Sequence, residues 1–86
     1  MKIKSNFIRH DSEGERMLIP TGDASFSGIV KGNSTLAAIT DLLAEDTTEE
    51  EVVSAMREKF DAPEGVIERD VHEVIGKLRS IGALDE

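Results

Sequence analysis

The hydrophobic pattern of this chain changes period once, at Asn33, and that single change limits the folds open to it. Before Asn33 the apolar residues fall in short runs cut by Gly14, Gly22, Gly28 and Gly32. After it they recur at helical spacing as far as Gly82. Strands gathered at one end and helices at the other predict an α+β fold in which the helices cover one face of an antiparallel sheet. Residues 7–10 predict a first strand, with a polar turn over residues 11–15 that places Gly14 where φ can be positive. Residues 16–20 predict a second strand, ended or held to a sheet edge by Pro20. Residues 26–31 predict a third, weakened by Gly28.

Three helices are expected next. Asn33 or Ser34 can cap the first, which runs to about Ala44 with Leu36, Ile39 and Leu43 on one stripe. Thr47 and Thr48 each precede a glutamate by three residues, Glu50 and Glu51, so either can start the second helix with a capping box. The run Glu49-Glu50-Glu51 also suits the positive end of that helix dipole. Val52, Val53, Met56 and Phe60 form its apolar stripe. Pro63 fits the first turn of the third helix, which buries Ile67, Val71, Val74, Ile75 and Leu78 and stops at Gly82. Ala83 and Leu84 are expected to tuck beneath the bundle.

With 86 residues the chain predicts one domain, small enough that every buried side chain matters to its stability. It has no cysteine, so neither disulfides nor cysteine-ligated metals can reinforce it. The absence of thiols and of an apolar leader at the N-terminus leads us to expect a cytoplasmic protein. Apolar runs such as Met17-Leu18-Ile19 are far too short to span a bilayer, so no membrane role is expected.

Net charge is −8, divided unevenly: +1 over residues 1–33 and −9 over residues 34–86. Phosphate contacts need clustered Lys and Arg, so the balance argues against nucleic acid as a partner. The excess of acids reads as solvated helix faces, or as a field that steers a cationic partner segment.

Nothing in the chain assembles into a catalytic set, and no enzyme activity, cofactor or metal is expected. Of the two histidines, His10 falls at a strand end and His72 on the outer side of the third helix, both ordinary surface places. Gly28 and Gly32 lack the spacing and the lysine of a phosphate loop. No segment has the alternating ligands of a calcium loop. A carrier-protein reading fits the size and acidity, but Gly32-Asn33-Ser34-Thr35-Leu36 is not an attachment site of the Asp-Ser-Leu kind. Strands leading into three helices also suggest a winged helix-turn-helix. Its third helix would set Glu64, Glu68, Asp70 and Glu73 against Arg69, Lys77 and Arg79, a poor match for DNA. A winged-helix module of this composition would serve protein recognition, and a general regulatory interaction module is the alternative it leaves open.

Several segments in order carry a family resemblance: Phe26-Ser27-Gly28-Ile29-Val30, Asn33-Ser34-Thr35-Leu36-Ala37-Ala38-Ile39, Leu42-Leu43, the stretch from Asp46 to Val53, Asp70-Val71 with Leu78, and Gly82-Ala83-Leu84. In this order and spacing the chain resembles the PqqD-like proteins, stand-alone precursor-peptide recognition elements of ribosomal peptide modification pathways. Two positions depart from the family pattern. Gly32 stands where a leucine is usual, and Thr40 where an aromatic residue is common. Both changes remove apolar bulk, which leads us to expect a less filled strand-to-helix junction.

The resemblance implies a winged helix-turn-helix-like fold, with a three-stranded antiparallel sheet followed by a three-helix bundle. It implies a peptide chaperone that binds a precursor's leader peptide as an added strand beside the third strand, in a groove against the third helix. A peptide-modifying enzyme, often a radical S-adenosylmethionine enzyme, is the implied second partner. Strand addition requires a free edge, and a helix rather than a fourth strand follows the third. On that basis Ser25, Phe26, Ser27, Gly28, Ile29, Val30 and Lys31 are candidate peptide-binding residues through their backbone, while the side chains of Phe26 and Ile29 read first as core. On the third helix, 100° per residue puts Val71, Val74, Ile75 and Leu78 on one face. Asp70, Lys77 and Ile81 border it on one side, and Glu68, His72 and Arg79 on the other. The Asp70 and Lys77 side is the expected flank of the groove.

Overall fold

The computed structural model describes residues 1–22 and 28–86. In chain order the elements are β1 (Lys2–Ile3), β2 (Phe7–Ser12), β3 (Glu15–Pro20), β4 (Val30–Gly32), α1 (Ser34–Leu42), α2 (Glu49–Lys59), α3 (Val66–Ser80) and β5 (Leu84–Asp85). Strands β2, β3 and β4 form an antiparallel sheet in that order, so β3 is central. The hairpin turn between β2 and β3 uses Glu13 at φ 50° and Gly14 at φ 81°.

Strand alternation decides which side chains face the helices. Arg16 and Leu18 of β3 point inward with Val30 of β4, while Met17 and Ile19 face outward with Ile8. Ile39 from α1 and Leu43 just beyond it, Val52 and Met56 from α2, and Ile67, Val71, Ile75 and Leu78 from α3 close over Phe7 and Leu18. The predicted apolar stripes therefore meet in one core, with Val53, Phe60 and Val74 packed at its margin.

The caps agree with the sequence. The Asn33 side chain accepts the Thr35 N–H, and the Thr48 hydroxyl accepts the Glu51 N–H. Arg57 and Lys59 in the last turn of α2 oppose Glu49, Glu50 and Glu51 in the first, in the order the helix dipole favours. At the end of α3, Gly82 adopts φ 73°. The Ala83 N–H reaches back to the Leu78 carbonyl at 2.9 Å and the Gly82 N–H to that of Arg79 at 3.1 Å, a Schellman closure.

Several boundaries differ from expectation, beginning with the first hairpin, where β2 runs on to Ser12 and β3 starts at Glu15, leaving a shorter turn than residues 11–15. The third strand of the sequence reading, residues 26–31, is β4 at Val30–Gly32. Phe26 and Ser27 lie outside the described residues, Gly28 is in a bend, and Ile29 precedes the strand. Its partner β3 ends at Pro20, which has no N–H to extend the ladder. Helix α1 stops at Leu42, short of Ala44. Helix α3 begins at Val66, because Gly65 adopts φ 85° and Pro63 stays ahead of the helix, its carbonyl accepting the Val66 N–H. A small antiparallel ribbon joins β1 to β5, pairing Ile3 with Leu84. Backbone bonds from Ile3 N–H to the Leu43 carbonyl and from Lys4 N–H to the Ala83 carbonyl then fasten the N-terminal segment beneath the helices. Two-residue strands carry no periodicity, so the ribbon left no trace in the sequence pattern.

The strand-to-helix junction is filled, contrary to the expectation from Gly32 and Thr40. A Cβ built on Gly32 would lie 2.6 Å from the Leu36 Cβ, so a glycine here lets β4 and α1 approach closely. Thr40 is 0% exposed. Its hydroxyl lies 2.9 Å from the Leu36 carbonyl and accepts the Arg16 guanidinium at 3.0 Å. Arg16 is itself buried and fills the space with its stem. Its remaining donors go to Asp11 and, at 2.8 Å, to Asp41. Burying a guanidinium costs several kcal/mol unless its donors are satisfied. Here the two carboxylates stay half-exposed or more, so pairing does not require desolvating them as well.

Gly32→Ala is expected to destabilise the fold by about 1–3 kcal/mol through the clash at Leu36. Thr40→Val, which removes a buried acceptor from Arg16, is expected to cost about 1–2 kcal/mol. Urea unfolding of both variants checks this, and unchanged midpoints would show that the junction is not tightly packed.

Candidate functional site: a cleft between the edge strand and the third helix

Among the described residues strand β4 pairs with β3 on one side only, and its other side opens onto a cleft of about 480 Å³. One wall is Ile29, Val30, Lys31 and Gly32, followed by Asn33, Thr35 and Leu36 at the start of α1. The opposite wall is α3, through Asp70, Glu73, Val74, Lys77 and Leu78. Alternate residues of an antiparallel strand turn their N–H and C=O groups toward opposite neighbours, so part of the β4 backbone faces this opening.

The cleft exists because α3 is wedged against the core by Val71, Ile75 and Leu78 and turned so that its next flank overlooks β4. Rotations of 100° per residue bring Asp70, Glu73, Val74 and Lys77 onto that flank. The opposite flank is taken up within the chain. Glu68 pairs with Arg57 of α2 at 2.6 Å, His72 lies 3.4 Å from Glu49, and Arg79 binds Glu86 through two guanidinium nitrogens. The two borders of α3 thus differ in use: one is tied to α2 and the C-terminal residues, and the other lines the cleft.

Of the candidate residues, Ile29, Val30, Lys31, Asp70, Val74, Lys77 and Leu78 line the cleft. Ile29 is 53% exposed, an unusual place for a large aliphatic side chain, and the core reading of it does not hold. Val71 is 0% exposed and belongs to the core rather than the lining. Gly28 sits in the bend just before the lining begins. Ser25, Phe26 and Ser27 lie outside the described residues. Five lining residues were not anticipated: Gly32, Asn33, Thr35, Leu36 and Glu73. Helical spacing could have found Glu73, three residues from Asp70 and four from Lys77. The others depend on the close approach of β4 to α1, which no periodicity encodes.

The lining carries two cations, Lys31 and Lys77, and two anions, Asp70 and Glu73. Its charge therefore does not follow the net −8 of the chain. Half-buried Val74 and exposed Ile29 supply apolar surface between them. Among the described residues no cluster of His, Asp or Glu could hold a metal ion. No described helix is long and apolar enough to cross a membrane.

Charge pairing elsewhere sets a pH dependence. Hydrogen bonds from Arg16, Arg57 and Arg79 hold the carboxyls of Asp11, Glu68 and Glu86 below their ordinary values of 3.8, 4.5 and 4.5. A carboxyl whose pKa is lowered by folding adds stability above its unfolded value and loses it as pH falls through its folded value. The melting temperature is therefore expected to hold from neutral pH to about 5 and to fall progressively below the ordinary carboxylate range. Thermal melts across that range check this, and a loss starting near pH 6–7 would instead implicate a histidine.

The comparisons agree with the fold. A family model described as coenzyme PQQ synthesis protein D (PqqD) matches residues 14–84, a span holding β3, β4 and all three helices. The chain belongs to the PqqD family. A solved structure described as TbiB1 in complex with the TbiA(beta) leader peptide matches the fold with a TM-score of 0.78. The two share 21% sequence identity over 99% of this chain and 95% of that one. No curated protein matches the sequence.

Proposed function

We propose that this chain binds the leader segment of a ribosomally made precursor peptide as an added β-strand along β4, within the cleft against α3, and holds it for a modifying enzyme. The observation that carries this reading is the pairing of an open strand edge with a cleft whose far wall offers apolar Val74 between charged Asp70, Glu73 and Lys77. Backbone bonds to the edge would give affinity without regard to sequence, and the α3 wall would choose among side chains. Membership of the PqqD family supports the reading, as does a neighbour of the same fold described with a leader peptide.

On this reading residues 1–86 act as one winged-helix-like unit in the cytoplasm and perform no chemistry themselves. The chemistry belongs to the modifying enzyme, for which a radical S-adenosylmethionine enzyme is the family expectation. Ordering a flexible leader costs several kcal/mol, so a dissociation constant near micromolar, about −8 kcal/mol net, is the expected scale.

Isothermal titration with the leader of a precursor encoded beside this chain tests the proposal. Ile29→Pro, which constrains the backbone at the mouth of the cleft, and Val74→Arg, which puts a charge on its wall, should each weaken binding by about tenfold or more. Neither should shift the melting temperature greatly, because Ile29 is exposed and Val74 lies at the margin of the core. Undiminished binding by both variants would contradict the cleft as the binding site.

A further inference from the structure

A second hollow, about 160 Å³, lies where α2 joins α3. Its walls include Met56 and Phe60 from the end of α2, Ala62 from the connection, and Val66 at the start of α3. Thr35 and Asp70 also line it, and both line the cleft beside β4 as well. The two hollows are thus neighbours across a shared pair of residues, so a chain lying along β4 and passing the start of α1 arrives at the second one.

Their chemistry differs. The cleft mixes Lys31 and Lys77 with Asp70 and Glu73, whereas the charged residues lining the hollow are both acidic, Asp61 and Asp70. Its walls are otherwise mostly apolar, and Phe60, Ala62 and Val66 are only partly buried. The backbone that shapes it is constrained by the fixed φ of Pro63, the left-handed conformation of Gly65 and the Val66 N–H bond to the Pro63 carbonyl. A small, preformed apolar hollow with an anionic rim suits one aliphatic side chain whose neighbour in sequence carries a positive charge.

We infer that this hollow is an anchor subsite for the same bound peptide, taking one aliphatic residue flanked by Lys or Arg just beyond the segment paired with β4. The inference rests on the strand-addition reading and adds a sequence requirement to it. It gives the bound segment a fixed order: a stretch paired with the edge strand, then an aliphatic residue beside a basic one.

A displayed library of random peptides about a dozen residues long, selected on the intact chain, supplies the probe. The selected peptide with the tightest binding is then measured by fluorescence anisotropy against three variants. Ala62→Phe fills the hollow, Asp61→Lys reverses part of its rim, and Val74→Arg reports on the cleft alone. Ala62→Phe should weaken binding roughly tenfold, the scale of losing one buried aliphatic side chain. That loss should vanish for a peptide whose aliphatic anchor is replaced by alanine. Asp61→Lys should weaken peptides with a basic residue beside the anchor and leave those with a neutral one unchanged. Circular dichroism confirms that each variant is folded. If Val74→Arg abolishes binding while Ala62→Phe and Asp61→Lys bind as the parent, the subsite is wrong and the strand-addition reading stands. If no peptide is selected, or Val74→Arg leaves binding intact, the underlying reading fails and the subsite with it.

Discussion

The close approach of β4 to α1 at Gly32 and Leu36 is the contact on which the rest of the structure depends. It brings the edge strand up to the helices at the height of Val74, and so decides that a cleft exists there at all. Directly across the sheet, Arg16 opposes Gly32 and reaches under α1 to the Thr40 hydroxyl. Family members of the usual pattern place a leucine and an aromatic residue at these two positions. This chain puts a glycine at one and a threonine bonded to a buried arginine at the other. A neutral core would avoid the desolvation cost of a guanidinium, but one with satisfied donors is directional. Its bonds to Asp11, Thr40 and Asp41 tie the hairpin to α1 in one orientation.

Much of the scaffold was legible from periodicity and punctuation. The helical spacing of Ile67, Val71, Ile75 and Leu78, the helix start at Thr48 and the stop at Gly82 each act within a few residues of chain, and each appears in the fold. What lay hidden was made by contacts distant in sequence. The ribbon between Lys2–Ile3 and Leu84–Asp85 joins the two ends of the chain, and its strands are too short to show alternation. The Arg16 network joins a strand residue to one twenty-four positions away, and Arg16 by itself reads as a surface cation. The site was half legible for the same reason. The α3 flank follows from 100° rotations, whereas the share of Asn33, Thr35 and Leu36 in the cleft follows only from where β4 meets α1. Val71 marks the opposite error: it lies next to the lining on the helical wheel but is turned fully into the core.

Charge is distributed in a way that net charge conceals. The acids of α2 lie mainly on solvent, and several on α3 and at the C-terminus are paired within the chain. The cleft keeps both signs, with Lys31 facing across to an α3 wall that carries Asp70, Glu73 and Lys77. An acidic protein can in this way offer a recognition surface that is not simply acidic. Long-range attraction would favour a basic segment, while the cleft itself fixes position through backbone bonds, apolar contact and paired charges of both signs.

The most direct test of the account is amide hydrogen exchange by nuclear magnetic resonance, with and without a bound leader peptide. Strand addition predicts new protection at alternate amides within residues 29–32, shifts along the 70–78 flank of α3, and no change along the outer edge of β2. Protection that appears instead on β2, or on the α3 border carrying Glu68, His72 and Arg79, would contradict the account.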